Sequence, residues 1–256
     1  MFAAERRNVI LEILKDKKRI TVKELSQMLN VSEATLRSDL SQMEKKGLLT
    51  RTHGGAVLDS PIKAENTFSA REKKNKESKI AIAKKAMSLI HDKNCIFLDA
   101  STTALEIARL LKEENIRLTV LTNGISTAIE LRDNPPAITV ILLGGGMLRN
   151  GSMALEGPFG TSILNQIHVD ILFTSARGFT VEEGLTDFSV YEVELKKVIV
   201  NKVEKVVAIV DHTKIGDNSI ASFASVEDID LFISDEDINQ DLKEVFEKNH
   251  VQFMKS

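Results

Sequence analysis

Six short, almost wholly apolar segments between positions 95 and 234 constrain the fold more than any other feature of the sequence. They read CIFLDA, RLTVLTN, AITVILLGG, DILFTSA, KVVAIVD and IDLFIS. Such runs are typical of strands buried on both faces, as in a parallel sheet. Helical patterns lie between most of the runs or follow the last one: TTALEIARLLKEE, ISTAIELRD, FGTSILNQI, VYEVELKKVIVNK and DINQDLKEVFEKN. This alternation predicts an α/β domain with a mostly parallel sheet.

Polar or glycine-rich segments follow four of the predicted strands, at the point where each strand ends. Ligands of open α/β sheets bind at the carboxyl ends of strands, so these segments predict a ligand site. A helix that begins at Ser101 would offer free N–H groups and a favourable dipole to a phosphate, although ordinary capping by Ser101 explains that segment equally well. The residues at these strand ends are Asp99, Ser101, Thr102, Thr103, Asn123, Gly144, Gly145, Arg149, Asp211 and Lys214.

The first 58 residues predict three short helices followed by a hairpin. Thr21 and Glu24 have the spacing of a capping box at the start of the second helix. Asn30 ends that helix, because asparagine tolerates the left-handed turn conformation. Ser32 then caps the third helix. Two helices joined by a tight turn and followed by a hairpin predict a winged helix-turn-helix.

The third helix and the hairpin together predict a surface that binds DNA. One helix face carries Leu36, Leu40 and Met43, and the opposite face carries small or basic side chains that could enter the major groove. The basic hairpin, or wing, suits phosphates, and its glycine pair would let the backbone approach a duplex. A helical hairpin with a solvated basic face is the structural alternative. The predicted DNA-binding residues are Ser32, Ala34, Thr35, Arg37, Ser38, Ser41, Lys45, Arg51, Thr52, His53, Gly54 and Gly55.

The charge of the chain is unevenly distributed. Residues 1–58 contain eleven Lys and Arg against seven Asp and Glu, whereas the remaining residues contain twenty-three against thirty. A basic N-terminal segment followed by an acidic remainder indicates that the two parts have different partners. The polar segment 59–79 predicts a linker that runs into a helix. The predicted domains are therefore a DNA-binding domain at 1–58, this linker, and a ligand-binding α/β domain at 80–256.

Composition argues against several other classes of protein. No apolar run is long enough to cross a bilayer and the N-terminus lacks a secretory pattern, so we expect a cytoplasmic protein with no membrane partner. The single cysteine, Cys95, cannot form an internal disulfide. The five histidines lack metal-ligand spacing, and the glycines lack nucleotide-binding spacing. We therefore expect no metal and no cofactor.

The N-terminal segment VKELSQMLNVSEATLRSDLSQMEKKGLLTRTHGGAV resembles the signature of the DeoR family of bacterial transcriptional repressors. FLDASTT, TVLTNG, ILLGGGMLR, GLTD, YEVELKKVIV and VDHTKIG resemble, in the same order, that family's C-terminal sensor domain. The resemblance implies a winged helix-turn-helix followed by a domain similar in fold to ribose-5-phosphate isomerase. It also implies a homo-oligomer, a dimer or tetramer, that binds double-stranded operator DNA. The expected function is a repressor of a sugar-metabolism operon, controlled by a phosphorylated sugar.

The resemblance also implies roles for individual residues. Glu192 and Lys196 match the family's E-x-x-x-K helix, and Asp211 and Lys214 match its D-x-x-K turn. Ser101 departs from the family's D-x-G-T-T element, in which glycine is usual. Likewise, Ser38 replaces the second of two usual arginines in the DNA helix. The expected effector-binding residues are the strand-end set given above together with Arg177, Glu192 and Lys196.

The isomerase-like fold leaves one enzymatic alternative, a sugar-phosphate isomerase with an appended nucleic-acid-binding domain. Isomerisation needs a carboxylate base near the reacting C–H bond. The loop after DILFTSA offers Arg177, which can bind an anion but cannot abstract a proton. Glu182, Glu183 and Asp187 follow in a segment that reads as a solvated turn. We therefore expect binding without turnover.

Overall fold

A computed structural model gives the structure of the protein and describes residues 3–17, 19–45, 49–52, 54–57, 67–132, 137–148, 151–157 and 160–256. The chain forms two compact units, Met1–Ala70 and Arg71–Ser256. The predictions for His53 and Arg149, for the side chain of Lys45 and for much of the linker lie outside the described residues.

The described residues of the first unit up to position 57 form three helices and a small antiparallel sheet. In chain order its elements are α1 (Ala3–Lys17), β1 (Arg19–Thr21), α2 (Val22–Leu29), α3 (Glu33–Lys45), β2 (Thr50–Thr52) and β3 (Gly55–Val57). The predicted helices and hairpin are confirmed. Strand β1 was not predicted, because three residues are too few to show a period. It pairs with β3 and gives the sheet order β1-β3-β2.

Local sequence signals explain where α2 and α3 begin and end. Thr21 Oγ1 accepts a hydrogen bond from Glu24 N at 3.1 Å, and Thr21 N donates to Glu24 Oε2 at 2.8 Å, which is the predicted capping box. Asn30 ends α2 in the left-handed conformation with φ 51°. Ser32 Oγ accepts from Thr35 N at 3.3 Å at the start of α3. The core between the helices includes Ile10, Leu14, Leu25, Leu36, Leu40 and Met43.

The second unit is an α/β fold in which helices and strands alternate. The helices from residue 68 onward are α4 (Phe68–Lys73), α5 (Lys76–Met87), α6 (Thr102–Leu111), α7 (Ile125–Arg132), α8 (Val190–Val200) and α9 (Gln240–Lys248). The strands are β4 (Cys95–Leu98), β5 (Leu118–Thr122), β6 (Ile138–Leu142), β7 (Met147–Leu148), β8 (Leu155–Glu156), β9 (Val169–Thr174), β10 (Gly178–Thr180), β11 (Gly184–Asp187), β12 (Val203–Ile209), β13 (Ala221–Ala224), β14 (Leu231–Ser234) and β15 (Gln252–Lys255).

Seven strands form one sheet in the order β15-β14-β12-β9-β4-β5-β6, and all neighbours are parallel. The six predicted strands and the parallel sheet are confirmed. The seventh strand, β15, was missed because QFMK is not a continuous apolar run. The strand order reverses between β4 and β9, since the chain runs outward from β4 to β6 and then returns. Ligands bind at such switch points in open α/β sheets.

Both faces of the sheet are buried, which explains the continuous apolar runs. Ile96 and Leu98 belong to one hydrophobic cluster, while Phe97 between them belongs to the other. Alternate side chains of a strand point to opposite faces, so each face needs its own apolar cover. The phenyl rings of Phe179 and Phe232 pack on one side with centroids 4.9 Å apart.

Two regions differ from the sequence-based expectation. FGTSILNQI, predicted as a helix, contains a short 3-10 segment, Thr161–Asn165, which follows Gly160 at φ 116°. An antiparallel sheet of order β10-β11-β13 also occurs where a solvated turn was expected. Gly184, at φ 66°, closes the β10–β11 hairpin and the chain re-enters a strand. Asp187 is therefore buried, and its predicted exposure was wrong.

Candidate functional site

The outward face of α3 carries small and basic side chains. Ala34, Arg37 and Ser38 are exposed, whereas Leu36 and Leu40 on the opposite face are fully buried. Arg37 Nη2 lies 2.7 Å from Glu33 Oε2, and the Arg37 side chain remains 59% exposed. The ion pair thus orients the guanidinium without removing it from solvent, and this face of α3 can enter a groove of DNA.

Asp39 on α3 was not singled out in the sequence, although it lies next to Leu40 on the inner side of the helix. It is buried and accepts from Arg6 Nε at 2.6 Å and from Arg7 Nε at 2.8 Å. These two ion pairs join α1 to α3. They also neutralise part of the positive charge that the sequence places in the first unit.

The wing provides further exposed groups beside α3. Arg51 N donates to Glu44 Oε1 at 3.0 Å, which ties β2 to the end of α3. The two wing glycines differ in their surroundings. Among the described residues, a Cβ on Gly54 would meet nothing within 4 Å, whereas a Cβ on Gly55 would lie 2.1 Å from the carbonyl oxygen of Ile20. Gly54 can therefore approach a ligand, while Gly55 is required for packing against β1.

A cavity of about 100 Å³ lies at the carboxyl ends of β4, β9 and β12, at the switch point of the sheet. Its volume is below the 300–1,000 Å³ typical of drug-sized sites, so it suits a small ligand. The predicted site residues that line it are Ser101, Thr102, Arg177, Glu192, Lys196, Asp211 and Lys214. The lining residues that were not predicted are Arg71, Lys74, Asn75, Lys79, Ser175, Ala176, Asp187, Phe188, Thr213 and Asp217.

Two predicted residues lie behind the cavity wall. Asp99 is fully buried, and its carboxylate accepts from Ser101 N at 3.0 Å and from Ser175 N at 2.9 Å. Asp99 therefore holds the loops after β4 and β9 together. Thr103 is also buried, and its Oγ1 has no hydrogen-bond partner among the described residues.

The structure places Asn123, Gly144 and Gly145 apart from the cavity. They follow β5 and β6, which lie on the far side of β4 from β9 and β12. The carbonyl of Asn123 accepts from Leu155 N at 2.8 Å, and a Cβ on Gly145 would lie 2.2 Å from the carbonyl oxygen of Glu156. These residues pack against β8. Sheet order, which the sequence does not reveal, decides which strand ends meet.

Lys196 is the centre of a buried charge cluster at one side of the cavity. Its Nζ lies 3.0 Å from Asp187 Oδ2, 3.2 Å from Asp99 Oδ2 and 3.7 Å from Glu192 Oε1. It also donates to the carbonyl oxygen of Ser175 at 2.9 Å. Burial opposes the charge on Lys196, but the three carboxylates outweigh it and raise the pKa of this lysine.

Glu192 shares that cluster and has an unusual protonation equilibrium. Burial and repulsion from Asp187 raise the pKa of Glu192 to about 7, although Lys196 opposes the shift. Because of this pKa, Glu192 can change protonation near neutral pH beside the cavity. Its neighbour in the chain, Tyr191, is 56% exposed at the start of α8.

The remaining lining of the cavity contributes further cations and hydrogen-bond donors. Lys214 Nζ lies 3.0 Å from Ser175 Oγ and 3.3 Å from Asp211 Oδ2. Burial lowers the pKa of Lys214, and the Asp211 carboxylate opposes that shift. Ser101 Oγ caps α6 by accepting from Ala104 N at 3.0 Å. A helix N-terminus beside an ammonium group is a favourable place for an anion.

The lining as a whole contains six cations and four carboxylates. The cationic side chains can bind a phosphate, and the carboxylates can accept hydrogen bonds from hydroxyls. The arrangement therefore suits a small ligand that has both an anionic group and hydroxyls.

Two other groups of side chains have ligand atoms close enough to hold a metal ion, His168 with Asp170 and Glu204, and His212 with Asp235 and Glu236. His212 Nδ1 already lies 2.7 Å from Asp235 Oδ2, and His168 Nε2 lies 3.0 Å from Glu204 Oε1. We assign no metal to either group, because hydrogen-bonded pairs explain both. In the described part of the chain, no helix is both long and apolar enough to span a bilayer.

Helix α3 and the wing form an exposed surface that can bind DNA, and the same chain contains an α/β unit with a cationic cavity. Together these features define a DNA-binding regulator with a sensor unit. Residues 6–61 match the DeoR-like helix-turn-helix domain, and residues 74–236 match the DeoR C terminal sensor domain. The chain belongs to the DeoR family and is a DNA-binding transcriptional regulator.

Two curated relatives match along almost their whole length. The chain is 48% identical to the HTH-type transcriptional regulator GolR of Listeria innocua, over 96% of each chain. It is 29% identical to the glycerol-3-phosphate regulon repressor of Escherichia coli K12, over 98% of each chain. These relatives are regulators, so the family assignment favours a regulator over the isomerase alternative.

Among solved structures, the chain is similar to a D-ribose-5-phosphate isomerase in complex with phospho-erythronic acid. The TM-score is 0.41 at 17% identity, and the match covers 55% of this chain and 54% of that one.

Proposed function

We propose that the protein is a repressor of a sugar-metabolism operon and that a phosphorylated sugar in the cavity controls its binding to operator DNA. The proposal is supported by the relative named as the glycerol-3-phosphate regulon repressor. The protein described here acts in the cytoplasm, where bacterial operator DNA is found.

The observation that carries this proposal is the composition of the cavity at the switch point. The phosphate lies at the N-terminus of α6, where it accepts from backbone N–H groups and from Lys214. Asp187 and Glu192 line the same cavity and accept hydrogen bonds from the sugar hydroxyls. Asp99 and Asn123 were expected among the effector-binding residues, but we do not assign the hydroxyls to them because both are hydrogen-bonded to other parts of the protein.

The protein binds DNA as a homo-oligomer, a dimer or tetramer. One small helix-and-wing unit contacts few phosphates, and two units on a repeated site double that number. The logarithm of affinity falls with the logarithm of salt concentration with a slope of about −0.9 for each phosphate contacted. A slope typical of a single unit, together with a monomer in sedimentation velocity, would contradict this assignment.

A thermal-shift screen tests the ligand class directly. The panel pairs each phosphorylated compound with its parent: glycerol 3-phosphate with glycerol, glucose 6-phosphate with glucose, and fructose 1-phosphate with fructose. A ligand at one hundred times its Kd stabilises the folded state by about 2.7 kcal/mol. We expect at least one phosphorylated member, and no parent sugar, to raise Tm. Equal stabilisation by a parent sugar would overturn the requirement for a phosphate.

Turnover separates the regulator from the isomerase alternative. Each compound that raises Tm is incubated with the protein and then analysed by NMR. We expect the compound to be recovered unchanged, because Asp187 is paired with Lys196 and the Glu192 carboxyl is close to the same ammonium. Stoichiometric recovery supports a sensor, whereas steady conversion would support an isomerase.

A further inference from the structure

Four cavity residues that the sequence did not single out come from one short segment, Arg71 to Lys79. Arg71, Lys74, Asn75 and Lys79 line the cavity, and all four belong to the second unit. The segment contains the last turn of α4, the turn Lys74–Asn75 and the start of α5. Helix α4 begins at Phe68, in the first unit, so its last turn directly follows the covalent connection between the units.

Lys79 holds the end of α4. Its side chain is buried, and its Nζ donates to the carbonyl oxygen of Arg71 and, at 2.5 Å, to that of Lys74. The last carbonyls of a helix have no partners within the helix, so an ammonium group stabilises them. Burial and the nearby charge of Lys214 lower the pKa of Lys79 to about 8. An anion beside these two lysines would relieve their repulsion.

Asn75 connects the same turn to the segment that follows β12. Its Nδ2 donates to Asp211 Oδ1 at 3.0 Å and to Thr213 Oγ1 at 3.0 Å. The backbone of Asn75 is left-handed, with φ 50°, a conformation that only glycine and a few polar residues adopt readily. Asp211 in turn pairs with Lys214, which is assigned to the phosphate. A ligand that binds the Lys214 ammonium group therefore weakens its pairing with Asp211, the carboxylate to which Asn75 donates.

We propose that Asn75 and Lys79 form a latch that fixes the end of α4 to the effector cavity, so that ligand in the cavity controls the first unit through the segment Phe68–Lys79. This inference rests on the proposed function, because it assigns the route by which the same site regulates DNA binding. Asn75 and Lys79 are positioning residues.

The test breaks the latch in the full-length protein without any ligand. The probe is a DNA duplex enriched by the wild-type protein from a random library, and its Kd is measured by fluorescence anisotropy. Asn75→Gly preserves the left-handed backbone and removes only the side-chain amide, and Lys79→Met removes the ammonium group. We expect each variant to change the Kd for the duplex by at least five-fold, because opening the latch imitates the effect of the ligand.

Matched controls isolate the latch from general effects of substitution. Lys93→Gly places glycine at another left-handed position, with φ 71°, and Lys84→Met removes an exposed lysine from α5. We expect both controls to change the Kd by less than two-fold. Asn75→Asp keeps the shape of asparagine but turns a carboxylate toward Asp211, so it should change the Kd at least as much as Asn75→Gly. If Asn75 acted through packing alone, the isosteric aspartate would instead restore the wild-type Kd.

Folded variants that bind the duplex with less than a five-fold change in Kd would overturn the latch, and so would restoration by Asn75→Asp. Thermal melts establish that each variant is folded, and if Lys79→Met does not fold, the two Asn75 variants decide the question. These measurements contain no sugar. A failed latch therefore leaves the result of the thermal-shift screen unaffected, and a failed screen does not alter the outcome for the latch.

Discussion

At the scale of single residues, Asp39 and Lys196 face the same physical problem, a charge removed from water. Asp39 is compensated by two arginines, and Lys196 by three carboxylates. An isolated buried charge is very costly, so such groups occur with partners of opposite sign. In both clusters the removal of the central residue takes away the charge that its partners share.

Asp39→Ala should lower the free energy of unfolding of the first unit by about 3 kcal/mol, because Arg6 and Arg7 lose a shared partner. Hydrogen exchange of α1 and α3 in urea measures the change. Glu33→Ala is the matched control, since Glu33 on α3 also pairs with an arginine but is 44% exposed. Exposed pairs contribute about 0–1 kcal/mol. Equal effects of the two substitutions would show that burial of Asp39 does not matter.

Glu192 should make stability fall as pH rises from about 5 to 7. The pKa of Glu192 in the folded state is about 7, above its ordinary value of 4.5. In this pH window the folded state holds a proton that the unfolded state has lost, so raising the pH favours unfolding. Glu192→Gln should remove a decrease on the order of 2 kcal/mol in urea titrations at pH 5 and 7. Glu194→Gln, on the exposed side of α8, should keep the wild-type pH dependence.

At the scale of elements, close packing between short strands fixes the wing. Strand β3 lies between β1 and β2, and Gly55 pairs with both Thr21 and Thr52. Gly55 has only a hydrogen where other residues have a side chain, so the backbone of β1 occupies that space. The glycine pair in the wing therefore combines a residue for packing with a residue that can approach DNA.

Gly55→Ala should destabilise the first unit by about 1–3 kcal/mol, because the added methyl group meets the backbone of Ile20. Gly54→Ala should leave stability within about 0.5 kcal/mol, since no atom of the part of the chain that the structure describes lies within 4 Å of the new Cβ. Thermal unfolding of each variant provides the comparison. A neutral Gly55→Ala would mean that β1 can move away from β3 at little cost.

Element type could be predicted from sequence far better than the way in which elements assemble. The capping box at Thr21 and the apolar runs of the sheet are local signals, and the structure confirms both. The grouping of strand ends depends on sheet order, which is a long-range property. Asp99 and Asn123 therefore appeared equivalent in sequence, although only Asp99 adjoins the cavity. Lys79 was missed because a single lysine on a helix gives no signal of its burial.

At the scale of the whole molecule, the proposed function assigns a nucleic acid to the first unit and a small anion to the second. Each unit has its own hydrophobic core. Allosteric control requires that the ligand bind one arrangement of the molecule more tightly than another. The division can be tested by substitutions that affect one activity without the other.

Arg37→Ala should weaken binding of the selected duplex by about 1–3 kcal/mol and leave sugar-phosphate binding unchanged. The control is Arg117→Ala, which removes an exposed, paired arginine from the second unit. Anisotropy and calorimetry measure the two affinities. An equal loss of both affinities in the Arg37 variant would contradict separate recognition surfaces.

Lys214→Ala should have the converse effect. Loss of its ammonium group should reduce affinity for the phosphorylated compound at least ten-fold in calorimetry, because a charged hydrogen-bond donor to the phosphate is lost. Lys202→Ala removes an exposed lysine from the same unit and should have no effect. Unchanged affinity in the Lys214 variant would remove this residue from the site.

The exposed ring of Tyr191 has a practical consequence for optical measurements on this molecule. The chain contains no tryptophan and a single tyrosine, so its intrinsic tyrosine emission comes from one known position. That fluorophore is the sequence neighbour of Glu192, whose side chain lines the sensor cavity. Titration of the native, unlabelled protein can therefore report occupancy of the cavity in real time.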